Sequence, residues 1–166
     1  MMPTAPPKRI TADWTQVPDH AQSSEARNLR GLLAAQREHQ RQRTVFADLN
    51  ALWNEARTDD WAGRPGKALM PGAFWQAEAF LEAVQMLAPP PALTVDNSGA
   101  VELDWILARR HRISISISAS GEIIYTFRIG DDRFGSGAER FHGVLPPRLA
   151  ELIAEVTSAP TSATGA

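Results

Sequence analysis

Cysteine is absent from the 166-residue chain. Disulfides, thiol nucleophiles, thiolate-held zinc and iron–sulfur clusters are thereby excluded together. Lysine is almost absent: Lys8 and Lys67 stand beside 15 arginines, and with abundant alanine and proline this usage points to a GC-rich bacterial genome. No segment approaches the ~20 consecutive apolar residues of a membrane-spanning helix. The opening MMPTAPPKRITADW lacks the apolar centre of a secretory signal, so a cytoplasmic protein without membrane contact is expected. A dominant charge is missing as well. The net charge of −2 supplies no global field that would draw in nucleic acid or an anionic membrane.

What is present, 43% hydrophobic and 22% charged residues, suits one soluble domain with a buried core. Residues 1–22 carry Pro3, Pro6, Pro7 and Pro18 and bury too little to offset their ordering entropy, which reads as a flexible arm with Trp14 as its one large apolar group. Residues 158–166 (SAPTSATGA) read as a disordered tail, leaving 23–157 as the domain.

A helix is expected to begin at Ser23 or Ser24, either of which can cap a first turn. Leu29, Leu32 and Leu33 form one apolar stripe, and Val45, Phe46, Leu49, Leu52, Trp53 and Ala56 a longer one. Between them lies QREHQRQR, polar on every side yet made of helix formers. One helix over 24–57 and a broken pair are both compatible with this. If continuous, its middle is solvated or covered by another chain, which makes the segment a route to a homodimer. Pro71 suits a first helical turn, and Phe74, Ala77, Phe80, Leu81, Val84 and Leu87 follow at helical spacing, with Trp75 beside the stripe and half exposed. Pro89-Pro90-Pro91 ends that helix.

The period then changes to two. Leu93–Val95 reads as a short strand, and Asp96-Asn97-Ser98-Gly99 as a turn. Val101, Leu103, Trp105 and Leu107 alternate with polar or smaller residues. RISISIS (112–118) alternates strictly, and Ile123, Tyr125, Phe127 and Ile129 do the same after Ser120-Gly121. Arg133 to Phe141 reads as a weak, glycine-broken edge strand. Connections this short demand an antiparallel meander. Leu149, Leu152, Ile153 and Val156 place a final helix on the sheet. The fold class is α+β: N-terminal helices, a meander of four to five strands, and a C-terminal helix packed on one sheet face.

The stretch TDDWAGRPGKALMPG (58–72) invites comparison with a phosphate loop, which requires G-x-x-x-x-G-K-[ST] between a strand and a helix. Here the glycines are too close, Pro65 removes a donor, Ala68 replaces the hydroxyl, and a helix precedes the loop. The stretch reads as a joint, with Asp59 and Asp60 as solvated charges and Trp61 plugging the gap between two helices. The four histidines, His20, His39, His111 and His142, show no i, i+4 pairing of a helical metal site. No metal or cofactor is expected. Arg109, Arg110, His111 and Arg112 crowd one hairpin tip and are the candidates for anion contact. If the isoleucines of 112–118 face the core, Ser114, Ser116 and Ser118 form a flat stripe flanked by Glu102 and Asp104 on one side and Thr126 and Arg128 on the other. Short side chains there let another backbone or helix approach closely.

From DDWAGRPGKALMPGAFWQAEAFLEAV through LAPPPALTVDNSGAVELDW the chain resembles a loose group of small uncharacterised bacterial proteins. In these a W-D-G-x-G-A loop precedes a helix, followed by a proline-rich joint, a D-x-x-G turn and a V-x-L-x-W strand. Ala62 stands where the loop's acid would be, and Arg64-Pro65 change the glycine spacing. The resemblance implies the same order of helix and meander; the group has no established activity.

The leading expectation is a non-enzymatic accessory module, antitoxin-like or inhibitor-like. It would bind a protein partner through the serine face of the sheet or the polar stretch 36–43 of the long helix, with Ser114, Ser116, Ser118, Arg128 and Trp75 as the candidate contacts. A nucleic-acid role for Arg109, Arg110, Arg112 and Arg128 is disfavoured by the net charge and by Glu102 and Asp104. An enzyme using His142, Arg140 and the loop acids is the third reading; nothing in the sequence supplies its nucleophile.

Overall fold

A computed structural model describes residues 19–63 and 65–158. Its elements are α1 (Asp19–Glu55), α2 (Pro71–Val84), β1 (Ala92–Val95), β2 (Val101–Ala108), β3 (His111–Ile117), β4 (Glu122–Ile129), β5 (Arg133–Arg140) and α3 (Pro147–Ser158). The chain divides into two units, Met1–Arg37 and Glu38–Ala166. Of the first, the described part is helical from Asp19. The helix therefore starts before Ser23 and takes in His20, both within the range read as an arm. Trp14, the other residues before Asp19 and those after Ser158 lie outside the described residues.

α1 is one continuous helix through QREHQRQR. Its two apolar stripes meet different fates. Val45, Leu49, Leu52 and Ala56 are buried, whereas Leu29, Leu32 and Leu33 are 60%, 67% and 51% exposed. The division follows position along the helix: apart from the half-buried Glu38, every residue of 24–44 whose side chain is described is exposed, whichever way it faces.

In the second unit the five strands lie in the order β1-β2-β3-β4-β5, every pair antiparallel. Strand alternation sends Val101, Leu103, Trp105, Ile113, Ile115, Ile117, Ile123 and Tyr125 to one face, all buried. α2 and α3 pack on that face, with Phe80, Leu81, Leu149, Ile153 and Val156 fully or nearly fully buried among the strand side chains. Trp105 satisfies its ring N–H by donating to the Pro89 carbonyl at 2.6 Å, so the largest core side chain leaves no buried donor unpaired.

Three local readings are corrected. α2 ends at Val84, and Leu87, placed in its stripe, is 46% exposed beyond the helix. β3 ends at Ile117, so Ser118 belongs to the following turn, where its hydroxyl accepts from Glu122 N at 3.1 Å. β5 is a full eight-residue strand paired along β4. Its glycines are what the packing demands: the Tyr125 ring lies directly against Gly137, and the Phe127 ring within 3.1 Å of where a Cβ on Gly135 would stand. The rings replace the side chains that β5 lacks.

Candidate functional site

The loop 58–70 is built first by its own acids. Asp60 adopts φ +58°, its backbone N donates to the Gly66 carbonyl at 2.9 Å, and its carboxylate accepts from Gly66 N at 3.0 Å. Asp59 accepts from Ala68 N at 2.8 Å. The loop is then stitched to its neighbours: Leu69 N donates to Ala56 O at 2.9 Å, Lys67 N to Asn97 O at 3.2 Å, and Met70 N to Gly99 O at 3.0 Å. Gly99 has φ +85°, and a Cβ there would collide with the Ala68 carbonyl. Asp59 and Asp60 are consequently joint-forming groups, and Trp61 packs half-buried against the core. A cleft of about 440 Å³ remains between this loop and the β1–β2 corner, lined by Trp61, Pro65, Thr94, Asp96 and Glu102.

The uncovered face of the sheet carries the other alternation. Cross-strand rows run Ala92, Asp104, Ser114, Thr126, Ser136, then Thr94, Glu102, Ser116, Ile124, Ala138, then Ile106, Arg112, Arg128, Phe134. Acids therefore stand over β2, small hydroxyl-bearing residues over β3 to β5, and arginines at one end. Two of the serines are tied to the acids. Ser114 Oγ donates to Asp104, and Ser116 Oγ to Asp96 Oδ2 at 2.7 Å. Asp96 also accepts from Ser98 N (2.8 Å), Ser98 Oγ (2.6 Å) and Ala100 N (3.1 Å). Burial would raise its pKa, but these hydrogen bonds together prevail and hold the carboxyl below its ordinary value. Glu102 is the opposite case. Partial burial, then the neighbouring charges of Asp104 and Asp96, raise its pKa, and none of its hydrogen bonds or ion pairs involves another described residue.

Three large apolar side chains stand on this same face, Ile106, Ile124 and Phe134, at 68%, 55% and 73% exposure. Sequence reading missed them. Their signal was available in the register, since Ile106 and Ile124 occupy the polar positions of strands whose partners are serines and arginines.

The hairpin tip differs from a free cationic cluster. Arg110 pairs with Asp131 in the β4–β5 turn, Arg128 lies 3.8 Å from the same carboxylate, and Gly130 N donates to Arg110 O at 2.8 Å. The two turns are adjacent, so Asp131 offsets much of the positive potential expected there. Arg109 and Arg112 remain exposed and His111 half-buried. Trp75, 63% exposed, belongs to α2 on the covered side of the sheet, so it is not brought together with Ser114 and Ser116. Arg140 ends β5 and His142 follows it, both exposed. Among the described residues no three His, Asp or Glu side chains gather closely enough to hold a metal ion, and no helix is long and apolar enough to cross a membrane.

Against family models, curated proteins and solved structures, the chain has no match.

Proposed function

We propose that the chain is a protein-binding module, accessory or inhibitor-like in character, whose docking surface is the uncovered face of the β-sheet. The observation that supports this most is the placement of Ile106, Ile124 and Phe134 on an otherwise hydroxyl-bearing face, all three exposed. An antiparallel sheet ordinarily presents polar side chains on its solvated face. Large apolar groups among short neighbours cost solubility there, and they favour contact with a second surface. Ser114, Ser116, Thr126 and Ser136 keep the middle of the face low enough for close approach, while Glu102 and Asp104 on β2 and Arg112 and Arg128 at one end give it a charge pattern that sets orientation.

Catalysis is not part of this reading. The acids of the joint are spent on backbone amides, and the serines of the ladder donate to carboxylates rather than to a base. A nucleic-acid role loses support from the same geometry, because Arg110 and Arg128 are already engaged by Asp131.

The test is affinity capture from extract of the native host, comparing the wild-type chain with the double variant Ser114→Arg, Ser116→Arg, with thermal unfolding as the check on folding. The variant is expected to keep its fold and lose the proteins retained by the wild type. Retention of the same proteins by both would remove the sheet face from the account.

A further inference from the structure

The chain presents two large surfaces that nothing described covers, and they differ in charge. Residues 24–44 of α1 hold five arginines against two glutamates, net +3, whereas residues 45–158 hold ten lysines and arginines against fifteen acids, net −5. Apart from the half-buried Glu38, every residue of 24–44 whose side chain is described is exposed. A stretch that buries nothing gains little from packing, yet it carries Leu29, Leu32 and Leu33 in water. Arg30, Arg37 and Arg41 follow at spacings of seven and four residues, which places them in one row flanking the leucines.

We infer that the occupant of the open sheet face is this basic, leucine-bearing segment of α1 from a second copy of the chain, the two copies exchanging helices reciprocally. The inference rests on the sheet face being a docking surface, and it names the partner. Charge decides between the two ways α1 could build a dimer. Laid side by side, two 24–44 segments would oppose net +3 to net +3, whereas laid on the sheet each segment meets Glu102 and Asp104 as well as Arg112 and Arg128 at one end, and Glu102 lacks a cationic partner among the described residues. Spacing agrees: Arg37 and Arg41 stand about 6 Å apart along a helix, and Glu102 and Asp104 about 7 Å apart along a strand. With Arg37 over Asp104 and Arg41 over Glu102, Leu33 and Leu29 fall about 6 and 12 Å further along the helix, level with the exposed Ile106 and the hairpin tip beyond it. Size agrees as well. A 21-residue helical segment is about 30 Å long and 10 Å wide. It covers roughly 300 Å² on each side, so two such contacts remove on the order of 1,200 Å², the lower end of stable interfaces. A two-fold pair in which each copy gives its helix and offers its sheet satisfies both surfaces at once.

Sedimentation of the full chain tests this, with two variants that change different surfaces. Leu29→Glu with Leu33→Glu alters only exposed helix positions, and Ser114→Arg with Ser116→Arg alters the sheet. The wild type is expected to sediment as a dimer whose dissociation constant rises by roughly tenfold or more on going from low to high salt. Each variant alone is expected to be a folded monomer. An equimolar mixture keeps one of the two contacts, roughly 600 Å² in total, and is expected to associate more weakly than the wild type but more strongly than either variant alone. Wild-type association in the sheet variant would show helix pairing with helix and overturn the inference. Undiminished association in the helix variant, or a mixture that associates no more than either variant alone, would overturn it equally. A monomeric wild type would also overturn it, yet would leave the sheet face to be judged by the capture experiment, so the two proposals fail separately.

Discussion

The Ser116 hydroxyl, in the middle of β3, donates to Asp96 Oδ2 at 2.7 Å and so ties the sheet's open face to the turn joining β1 and β2. Asp96 ionises below its ordinary value against the effect of burial because Ser98, Ser116 and the amides of Ser98 and Ala100 prefer the carboxylate. A depressed carboxyl contributes stability that is present above its unfolded value, near 3.8, and is lost as pH falls through the lower folded value. Ser116→Ala removes one donor. Its melting temperature should fall below that of the wild type at neutral pH, and the gap should close as pH drops below 3.8, as read by melting curves across an acid series.

Glu102 gives the opposite sign. Its raised pKa means that its stability contribution is full below the unfolded value, near 4.5, and is lost as pH rises through the folded value. Glu102→Gln should therefore unfold at a higher temperature than the wild type at pH 7 when both are monomeric, with the advantage vanishing in acid. An unchanged melting temperature at pH 7 would show that neither burial nor the charges of Asp104 and Asp96 disfavour the Glu102 carboxylate.

The joint at 58–70 should be sensitive at its contacts and indifferent at its lysine. Gly99→Ala forces a side chain into a φ of +85° and against the Ala68 carbonyl, and should cost about 2 kcal/mol or more. Trp61→Ala should cost roughly 1–3 kcal/mol, since the ring is only half-buried. Lys67→Ala, exposed, should change stability by less than about 0.5 kcal/mol. Denaturant titration measures all three, and a Lys67 effect as large as that of Trp61 would assign the loop a different role.

Asp131 offsets the hairpin tip. Because the Arg110–Asp131 pair is exposed on both sides, Asp131→Ala should alter stability by no more than about 1 kcal/mol. It should instead increase retention on a polyanion column at low salt. Strong retention of the wild type, unchanged in the variant, would return nucleic acid to consideration.

The element order was legible in the sequence because the period changes only twice, from 3.6 to 2 at Pro89-Pro90-Pro91 and back at Pro146-Pro147, and because the strand alternation is nearly unbroken. The strength of β5 was hidden: Gly135 and Gly137 look like breakers until Tyr125 and Phe127 are seen to fill their places, a contact set by pairing rather than by local pattern. The same holds for Asp131, whose distance from Arg110 depends on two turns meeting across strands. The Ser114–Asp104 contact was within reach, since a two-residue turn at Arg109-Arg110 nearly fixes the β2–β3 register. The leucines of α1 were read as a stripe, but their spacing alone does not reveal that they are exposed like the rest of 24–44.

The central claim is that the open sheet face is covered by protein when the chain is at work. The absence of cysteine allows a direct measurement. Thr126→Cys places the chain's only thiol on the exposed middle of that face, and Glu151→Cys places one on the exposed side of α3. Thiol-labelling rates are compared for each variant in dilute buffer and in native-host extract supplemented with unlabelled wild-type chain, each normalised to a free thiol standard. Labelling at position 126 should slow severalfold in the extract while labelling at 151 does not; equal rates at both positions in both conditions would contradict the claim.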